Sequence, residues 1–275
     1  MAEQMTPSGW RRFWERGGWW RSLLAVGVYF VLYQLGSLLF LPLLTSTSDP
    51  ALQVLVGTGL PIALGAVILL AFGWSLGWLR ELFGPQPIAG RRWMWIAVAV
   101  VILFNVLRFA TIDYGKAGVG IVVAWLVAGL FIGIAEELLT RGFVVKLMRK
   151  HGYTEIVVAL VSAALFAAMH AGNLLNGQSV FVTLLQLVYT FAFGLCMYLT
   201  LRVTGNLIWP ILLHAMTDPS IFLQTLFPAG GTLTGIAGLG NIAVIVVGVV
   251  LLFFIRGRVG QAEHGREGEP RLETR

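Results

Sequence analysis

Residues 118–143 read GVGIVVAWLVAGLFIGIAEELLTRGF, an apolar segment of transmembrane length that carries two adjacent glutamates, Glu136 and Glu137. A helix of about 20 apolar residues crosses a hydrocarbon core of about 30 Å. A carboxylate inside such a segment is unfavourable unless it has a partner or a function. The segment therefore predicts a transmembrane helix that contains a polar functional site.

Apolar segments of similar length recur along the rest of the chain. Of its 275 residues, 57% are hydrophobic and 12% are charged, whereas soluble proteins contain roughly 25% charged residues. We predict an all-α bundle of about eight transmembrane helices, at residues 22–45, 51–78, 93–110, 118–143, 154–175, 179–201, 206–227 and 233–255. This gives a cytoplasmic or interfacial N-terminal segment (1–21), one membrane domain (22–255) and a disordered cytoplasmic tail (256–275).

The basic residues indicate how the chain is oriented in the membrane. If both termini are cytoplasmic, 17 of the 19 Lys and Arg fall on the cytoplasmic side, and the exceptions are Arg108 and Lys116. This distribution follows the positive-inside rule. It explains the net charge of +6 by topology, so we expect membrane lipid and no nucleic acid as a partner.

The ionisable residues that we single out within the apolar segments lie on three helices: Glu136, Glu137, Arg141, His170, His214 and Asp218. Glu137 and Arg141 are four residues apart, so they can pair on one helix face and fix its rotation. Glu136 points about 100° away from that pair. The same four-residue spacing separates His214 from Asp218, and also Phe166 from His170. Each of the three helices thus has one polar face.

The spacing from the turns predicts the depth of these residues. At 1.5 Å per residue, Glu136 and His170 lie roughly 24 and 27 Å from the turn at Gly152. His214 lies roughly 13 Å beyond the turn at Gly205. If residues 146–151 project into the cytoplasm, Glu136 is roughly 12 Å below the membrane surface. We therefore predict one shared site that opens toward the cytoplasmic half of the membrane.

Two local features concern how these helices pack. Gly129 and Gly133 form a pair of small residues four apart, which predicts close approach of a neighbouring helix. Pro210 lies four residues before His214. A proline there leaves the Asn206 carbonyl without its helical donor and predicts a bent or loosened helix.

A glutamate and two histidines that converge in a cavity can activate a water molecule. Glu136 is the candidate general base, and His170 would orient the water. His214 would stabilise a tetrahedral oxyanion, with Asp218 holding the imidazole in the correct tautomer. Two routes stay open: a Zn²⁺ held by Glu136, His170 and His214, or a metal-free glutamate mechanism.

The motifs Glu-Glu-x-x-x-Arg (136–141), Phe-x-x-x-His (166–170) and Gly-Asn-Leu-x-x-Pro-x-x-x-His-x-x-x-Asp (205–218) resemble those of the CPBP intramembrane proteases. That family comprises CAAX prenyl endopeptidases and bacteriocin-processing or self-immunity (Abi) relatives. The resemblance covers residues 118–220 and implies a membrane-embedded endopeptidase, described both as a metalloprotease and as metal-independent. It implies water activation by Glu136 and His170, and an oxyanion or ligand role for His214 and Asp218. Thr140 departs from the pattern, in which an aromatic residue commonly precedes the arginine.

The leading hypothesis is an endopeptidase of a prokaryotic inner or plasma membrane. Its substrate would be a membrane-associated protein or peptide, prenylated or not. A second hypothesis is a non-catalytic scaffold or bacteriocin self-immunity protein that keeps the polar cluster for helix association. A third is a proton- or metal-coupled transporter, since buried carboxylates and histidines also serve as relays. The two halves of the chain do not repeat the polar pattern in inverted order, which argues against a transporter.

Overall fold

The computed structural model describes residues 8–260. Residues 1–7 and 261–275, which include most of the predicted tail, lie outside the described residues. The main helices are α1 (Gly9–Glu15), α2 (Trp19–Ser46), α3 (Pro50–Leu76), α4 (Arg92–Ala110), α5 (Tyr114–Lys150), α6 (Glu155–Asn176), α7 (Val180–Thr204), α8 (Ile208–Leu226) and α9 (Gly231–Leu252). A single helical turn, Leu79–Leu82, lies between α3 and α4.

Seven of these helices, α2 to α7 and α9, are long and apolar enough to span a membrane. The remaining predicted span is α8, which is less apolar because it carries His214, Asp218 and Gln224. The prediction of an all-α membrane bundle is therefore confirmed, and about eight spans is close to the seven candidates.

The turns of the bundle gather at two ends. At the end that carries most of the basic residues, the Gly18 amide donates to the Leu147 carbonyl (2.8 Å) and the Glu155 amide to the Gly257 carbonyl (2.9 Å). At the opposite end, the turn after α4 bonds to the turn after α8: the Asp113 amide donates to the Phe227 carbonyl (2.8 Å). The first and last described residues thus lie at the same, basic end. The assignment of this end to the cytoplasm stays a prediction from the positive-inside rule.

Helix α1 packs against the basic end of the bundle. Trp14 is buried, whereas Trp10 is 50% exposed, as expected of an interfacial anchor. The Glu15 carboxylate accepts hydrogen bonds from the Trp78 indole (2.9 Å) and from Lys150. Partial burial raises the pKa of Glu15, but the bonds from Lys150 and Trp78 outweigh it and the pKa is lowered. The N-terminal segment is thus partly integrated into the fold.

A buried carboxylate joins α5, α6 and α7 at the basic end. Glu155 accepts hydrogen bonds from Arg149 (Nε, 2.9 Å; Nη2, 2.6 Å) and from Arg202 (Nη1, 2.9 Å). The Tyr198 hydroxyl donates to the same carboxylate. The positive-inside rule counts both arginines on the cytoplasmic side, and the sequence pattern does not single out Glu155. The structure buries all three side chains.

Helices α5 and α8 pack closely through the two glycines. A Cβ atom on Gly133 would lie 2.5 Å from the Ile211 carbonyl oxygen, and one on Gly129 would lie 2.5 Å from the Ala215 carbonyl oxygen. Both distances are too short for any side chain. The predicted close approach at this pair is therefore confirmed, and it brings α8 against the helix that carries the glutamates.

The predicted bend at Pro210 is wrong. Helix α8 begins at Ile208, so Pro210 lies in its first turn, where the backbone N–H would have no helical partner anyway. The proline inside the helix is Pro219, which cannot donate to the Ala215 carbonyl. That carbonyl faces Gly129 of α5 at the closest part of the contact.

Gly133→Ala is expected to lower the free energy of unfolding by about 2 kcal/mol. The added methyl group meets backbone atoms of α8, and overpacking of this kind outweighs the gain in helix propensity of about 1 kcal/mol. The measurement is reversible unfolding in mixed detergent micelles. The matched control is Gly120→Ala on the same helix, where the new Cβ would lie at an ordinary 3.5 Å from Ala51. Equal stability of the two variants would contradict the prediction.

Candidate active site

The glutamate pair lies where the regular α-helix of α5 ends. A π-helical segment, Leu138–Val144, follows directly before the α-helix resumes. Such segments contain one extra residue per turn and occur frequently at functional sites. Here all seven residues of the π-helical segment are buried, so the change of helix type lies inside the bundle, directly beside the glutamates.

Glu137 and Arg141 form the predicted ion pair, with 3.1 Å between Oε1 and Nη1 and both side chains fully buried. Arg141 also donates to the Gly194 carbonyl of α7 (2.9 Å) and to the Thr140 hydroxyl (2.5 Å). Its guanidinium lies over the Phe166 ring, 4.5 Å from the centroid. Thr140, which stands where the family pattern commonly has an aromatic residue, is therefore a direct partner of the arginine. These contacts hold the carboxylate in one position.

Glu137 has a second partner that its spacing did not predict. Its Oε1 atom lies 2.7 Å from Nδ1 of His214. We had expected Asp218 to set the tautomer of His214, but Asp218 Oδ1 lies 3.8 Å from the other ring nitrogen, Nε2. Glu136 Oε2 lies at the same distance from Nε2, 3.8 Å. With a proton on Nδ1 donated to Glu137, Nε2 of His214 faces Glu136 and Asp218.

His170 begins the 3-10 helical segment His170–Asn176, which ends α6. Its Nδ1 atom lies 3.0 Å from the Phe166 carbonyl oxygen. A carbonyl only accepts, so Nδ1 carries the proton and the lone pair of a neutral ring is on Nε2. The Phe166 ring meets His170 (5.0 Å between centroids) and His214 (5.7 Å) edge to face. Phe166 thus separates and orients the two imidazoles.

One cavity of about 110 Å³ is lined by both Glu136 and His170. The Oε2 atom of Glu136 is buried and has no hydrogen-bond partner among residues 8–260. The rest of the polar lining comes from α2 and from the end of α6: Tyr29, Tyr33, Gln34, Asn173 and Asn176. The contribution of Tyr29 and Tyr33 could not be predicted from the sequence, because tyrosines in an apolar segment do not differ in pattern from lipid-facing aromatic residues.

The cavity extends in the direction opposite to the one we predicted. Gly18 and Leu147 are hydrogen-bonded at the basic end, and Tyr29 and Glu136 both lie about 16 Å from that contact along their helices. Gln34 is a further 7 Å or so along α2, and Asn176 ends α6 at the far side of His170. The cavity therefore runs from Glu136 toward the end of the bundle away from the basic turns.

The donors of this site do not form a closed metal site by themselves. Within residues 8–260, no group of three or more His, Cys, Asp or Glu side chains converges as a metal site requires. In the set considered for Zn²⁺, Nδ1 of His214 lies 2.7 Å from Glu137, and Nε2 lies 3.8 Å from Glu136. Two ligands of one tetrahedral Zn²⁺ are about 3.3–3.6 Å apart when each lies about 2.0–2.2 Å from the ion. The zinc route and the metal-free route therefore both stay predictions.

Comparison with known proteins agrees with the resemblance noted from the motifs. The family model described as type II CAAX prenyl endopeptidase Rce1-like matches residues 118–219. The matched segment contains Glu136, His170, His214 and Asp218 and excludes α1 to α4 and α9. No curated protein matches the chain. The predicted resemblance to CAAX-type intramembrane proteases is therefore confirmed for the part of the chain that carries the site.

Proposed function

Taking the match of residues 118–219 to CAAX-type endopeptidases as the premise, we propose that this protein is an intramembrane endopeptidase. It hydrolyses a peptide bond of a membrane-associated protein or peptide. The observation that carries the proposal is the cavity shared by Glu136 and His170. Oε2 of Glu136 forms no hydrogen bond among the described residues, and the bond from Nδ1 of His170 to Phe166 leaves Nε2 of that ring as an acceptor. Two acceptors in this position can hold and deprotonate one water molecule.

The reaction follows from the positions of these groups. A water molecule donates one hydrogen bond to Glu136 and the other to Nε2 of His170. Glu136 takes the proton as the water oxygen attacks the carbonyl carbon of the substrate. When the tetrahedral intermediate collapses, the carbon–nitrogen bond breaks and Glu136 returns the proton to the leaving amine. The products are one chain with a new carboxylate and one with a new amine.

His214 stabilises the negative charge that develops on the carbonyl oxygen. Its imidazolium form carries a proton on each nitrogen, donates from Nδ1 to Glu137 and from Nε2 to the oxyanion. Asp218, 3.8 Å from Nε2, compensates the positive charge of that ring in a medium of low dielectric constant. Glu137 and Arg141 are positioning residues, because they hold His214 and do not reach the substrate.

The proposal also covers the class of substrate and the orientation of the protein in the membrane. The family description makes a peptide with a prenylated C-terminus the first substrate to test, with the same peptide lacking the prenyl group as its comparison. We propose a prokaryotic inner or plasma membrane as the location and the cytoplasm as the side of both termini, because the basic residues concentrate at the end where the described chain begins and ends.

The test is cleavage of a peptide library by the purified protein in detergent, with His170→Ala beside the wild type. We expect hydrolysis at a defined bond and, in isotopically labelled water, one labelled oxygen in the new carboxylate. His170→Ala should lower kcat by about 100-fold or more, with an unchanged thermal unfolding temperature.

Three results would contradict the proposal. Absence of cleavage by the wild type, together with partner binding that His170→Ala retains, would identify a scaffold or immunity protein. Proton or metal flux into proteoliposomes without cleavage would identify a transporter. Cleavage that His170→Ala retains in full would assign the reaction to other residues.

A further inference from the structure

Two carboxamide side chains line the cavity beyond Glu136 and His170. They are Gln34 of α2 and Asn173 of the 3-10 segment that ends α6. Gln34 lies about 7 Å beyond the level of Glu136, at 1.5 Å per residue of α-helix. Asn173 lies about 6 Å beyond His170, at about 2.0 Å per residue of 3-10 helix. The two carboxamides are therefore at nearly one level, in the direction in which the cavity extends.

The Gln34 amide group is open to the cavity. The side chain is only half-buried, and its Nε2 atom lies 3.9 Å from a Cβ atom built on Gly172, which lines the same cavity. Among residues 8–260 the amide has no hydrogen-bond partner, yet neither of its polar atoms is one of the buried atoms that lack a partner. Both atoms are therefore accessible, and a molecule that enters the cavity can reach them.

Asn173 is held in place by hydrogen bonds to the beginning of α7. Its Nδ2 atom donates to Oε1 of Gln186 (2.8 Å), which also accepts a hydrogen bond from Nε2 of Gln178 (2.8 Å). Gln178 also donates to the Thr183 hydroxyl (3.2 Å). These bonds leave Oδ1 of Asn173 as an acceptor. The carboxamide is thus oriented before any ligand binds.

The chemistry of the two carboxamides matches an uncharged peptide unit. A peptide carbonyl accepts one hydrogen bond, and the neighbouring N–H donates one. An extended chain advances about 3.3 Å per residue, so 6–7 Å from the catalytic groups corresponds to about two residues. The described residues that line the cavity include no lysine or arginine to balance the charge of a free carboxylate. The site therefore favours an internal part of the main chain over the chain terminus.

We propose that Gln34 and Asn173 bind the substrate main chain about two residues from the cleaved bond. Nε2 of Gln34 donates to a carbonyl, and Oδ1 of Asn173 accepts from an N–H group. This inference rests on the proposed endopeptidase function. It gives α2 a part in substrate binding, although α2 lies outside the segment that matches the family model. Contacts to the main chain fix the register of a peptide without selecting its side chains.

The first experiment compares Gln34→Leu with the wild type on the peptide that the wild type cleaves best. Leucine removes both polar atoms, and no hydrogen bond of the described fold is lost with them. We expect kcat/KM to fall about 3- to 10-fold, mainly through KM. The matched control is Gln53→Leu on α3, since Gln53 is exposed and does not line this cavity. Its KM and kcat should equal those of the wild type.

The second experiment uses peptides in which single main-chain N–H groups are replaced by ester oxygens. The replacement about two residues from the cleaved bond should lower kcat/KM of the wild type about 3- to 10-fold. Asn173→Leu should be insensitive to that same ester, because it has no acceptor left to lose. Thermal unfolding temperatures show whether each variant retains its fold. If Asn173→Leu is unfolded, the comparison of Gln34→Leu with Gln53→Leu decides alone.

The outcomes separate this inference from the proposed function. If the wild type cleaves its peptide and Gln34→Leu equals Gln53→Leu in KM and kcat, the inference is wrong and the proposed function stands. The inference is also wrong if the loss in Gln34→Leu disappears once the C-terminal carboxylate of the peptide is converted to an amide, since the ligand is then the chain terminus. If the wild type cleaves no peptide, the proposed function fails and the inference fails with it.

Discussion

Replacing Glu136 with Gln is expected to lower kcat for peptide cleavage by about 1,000-fold, within the range of about 100 to 10,000 for loss of a general base. Glutamine has nearly the same shape as glutamate and can still hold a water molecule, but it cannot accept the proton of that water. Binding of the substrate should change little, so KM should stay close to the wild-type value. The measurement is steady-state cleavage, with single-turnover kinetics to isolate the chemical step.

The control for this variant is Glu81→Gln, at the basic end of the bundle. The Glu81 side chain is 67% exposed and pairs with Lys146, so its loss should leave cleavage unchanged. The carboxylate oxygens of Glu136 form no hydrogen bond among the described residues, and Nε2 of His214 lies 3.8 Å from Oε2. The thermal unfolding temperature of Glu136→Gln should therefore equal that of the wild type. If Glu136→Gln retained more than a tenth of the activity, Glu136 would not be the base.

Glu155→Ala is expected to lower the free energy of unfolding by about 3–5 kcal/mol. The substitution leaves Arg149 and Arg202 buried without the carboxylate that both contact, at 2.6 Å and 2.9 Å. A buried cation without an anionic partner is far less favourable than the pair. The loss should appear in detergent unfolding as a lower midpoint with an unchanged slope.

Lys116→Ala provides the comparison for stability. The Lys116 side chain, which pairs with Asp113, is 75% exposed, and exposed pairs contribute at most about 1 kcal/mol. A triple variant, with Glu155→Leu, Arg149→Met and Arg202→Met, should recover a large part of the loss, because apolar side chains of similar volume can replace a buried ion pair. If Glu155→Ala were as stable as Lys116→Ala, the three side chains would contribute nothing to holding α5, α6 and α7 together.

The order and extent of the helices could be predicted from the sequence. A spanning helix needs about 20 apolar residues, and its backbone groups must bond within the segment, so length and composition are sufficient. The 1.5 Å rise per residue also predicted that the glutamates and His214 lie at one level. The structure agrees: Glu136 and Glu137 both reach the ring of His214.

The partner of each polar atom was decided by the tertiary structure. Spacing along α5 paired Glu137 with Arg141 but could not reveal that His214 bonds to the same carboxylate. Nothing in the pattern of α2 showed that Tyr29 reaches the cavity of Glu136, or that the cavity extends away from the basic end. The physical reason is that rotation and tilt of a helix depend on contacts between segments far apart in sequence, such as Gly133 against Ile211. Apolar length determines only that a helix crosses the membrane, whereas packing determines what its polar residues face.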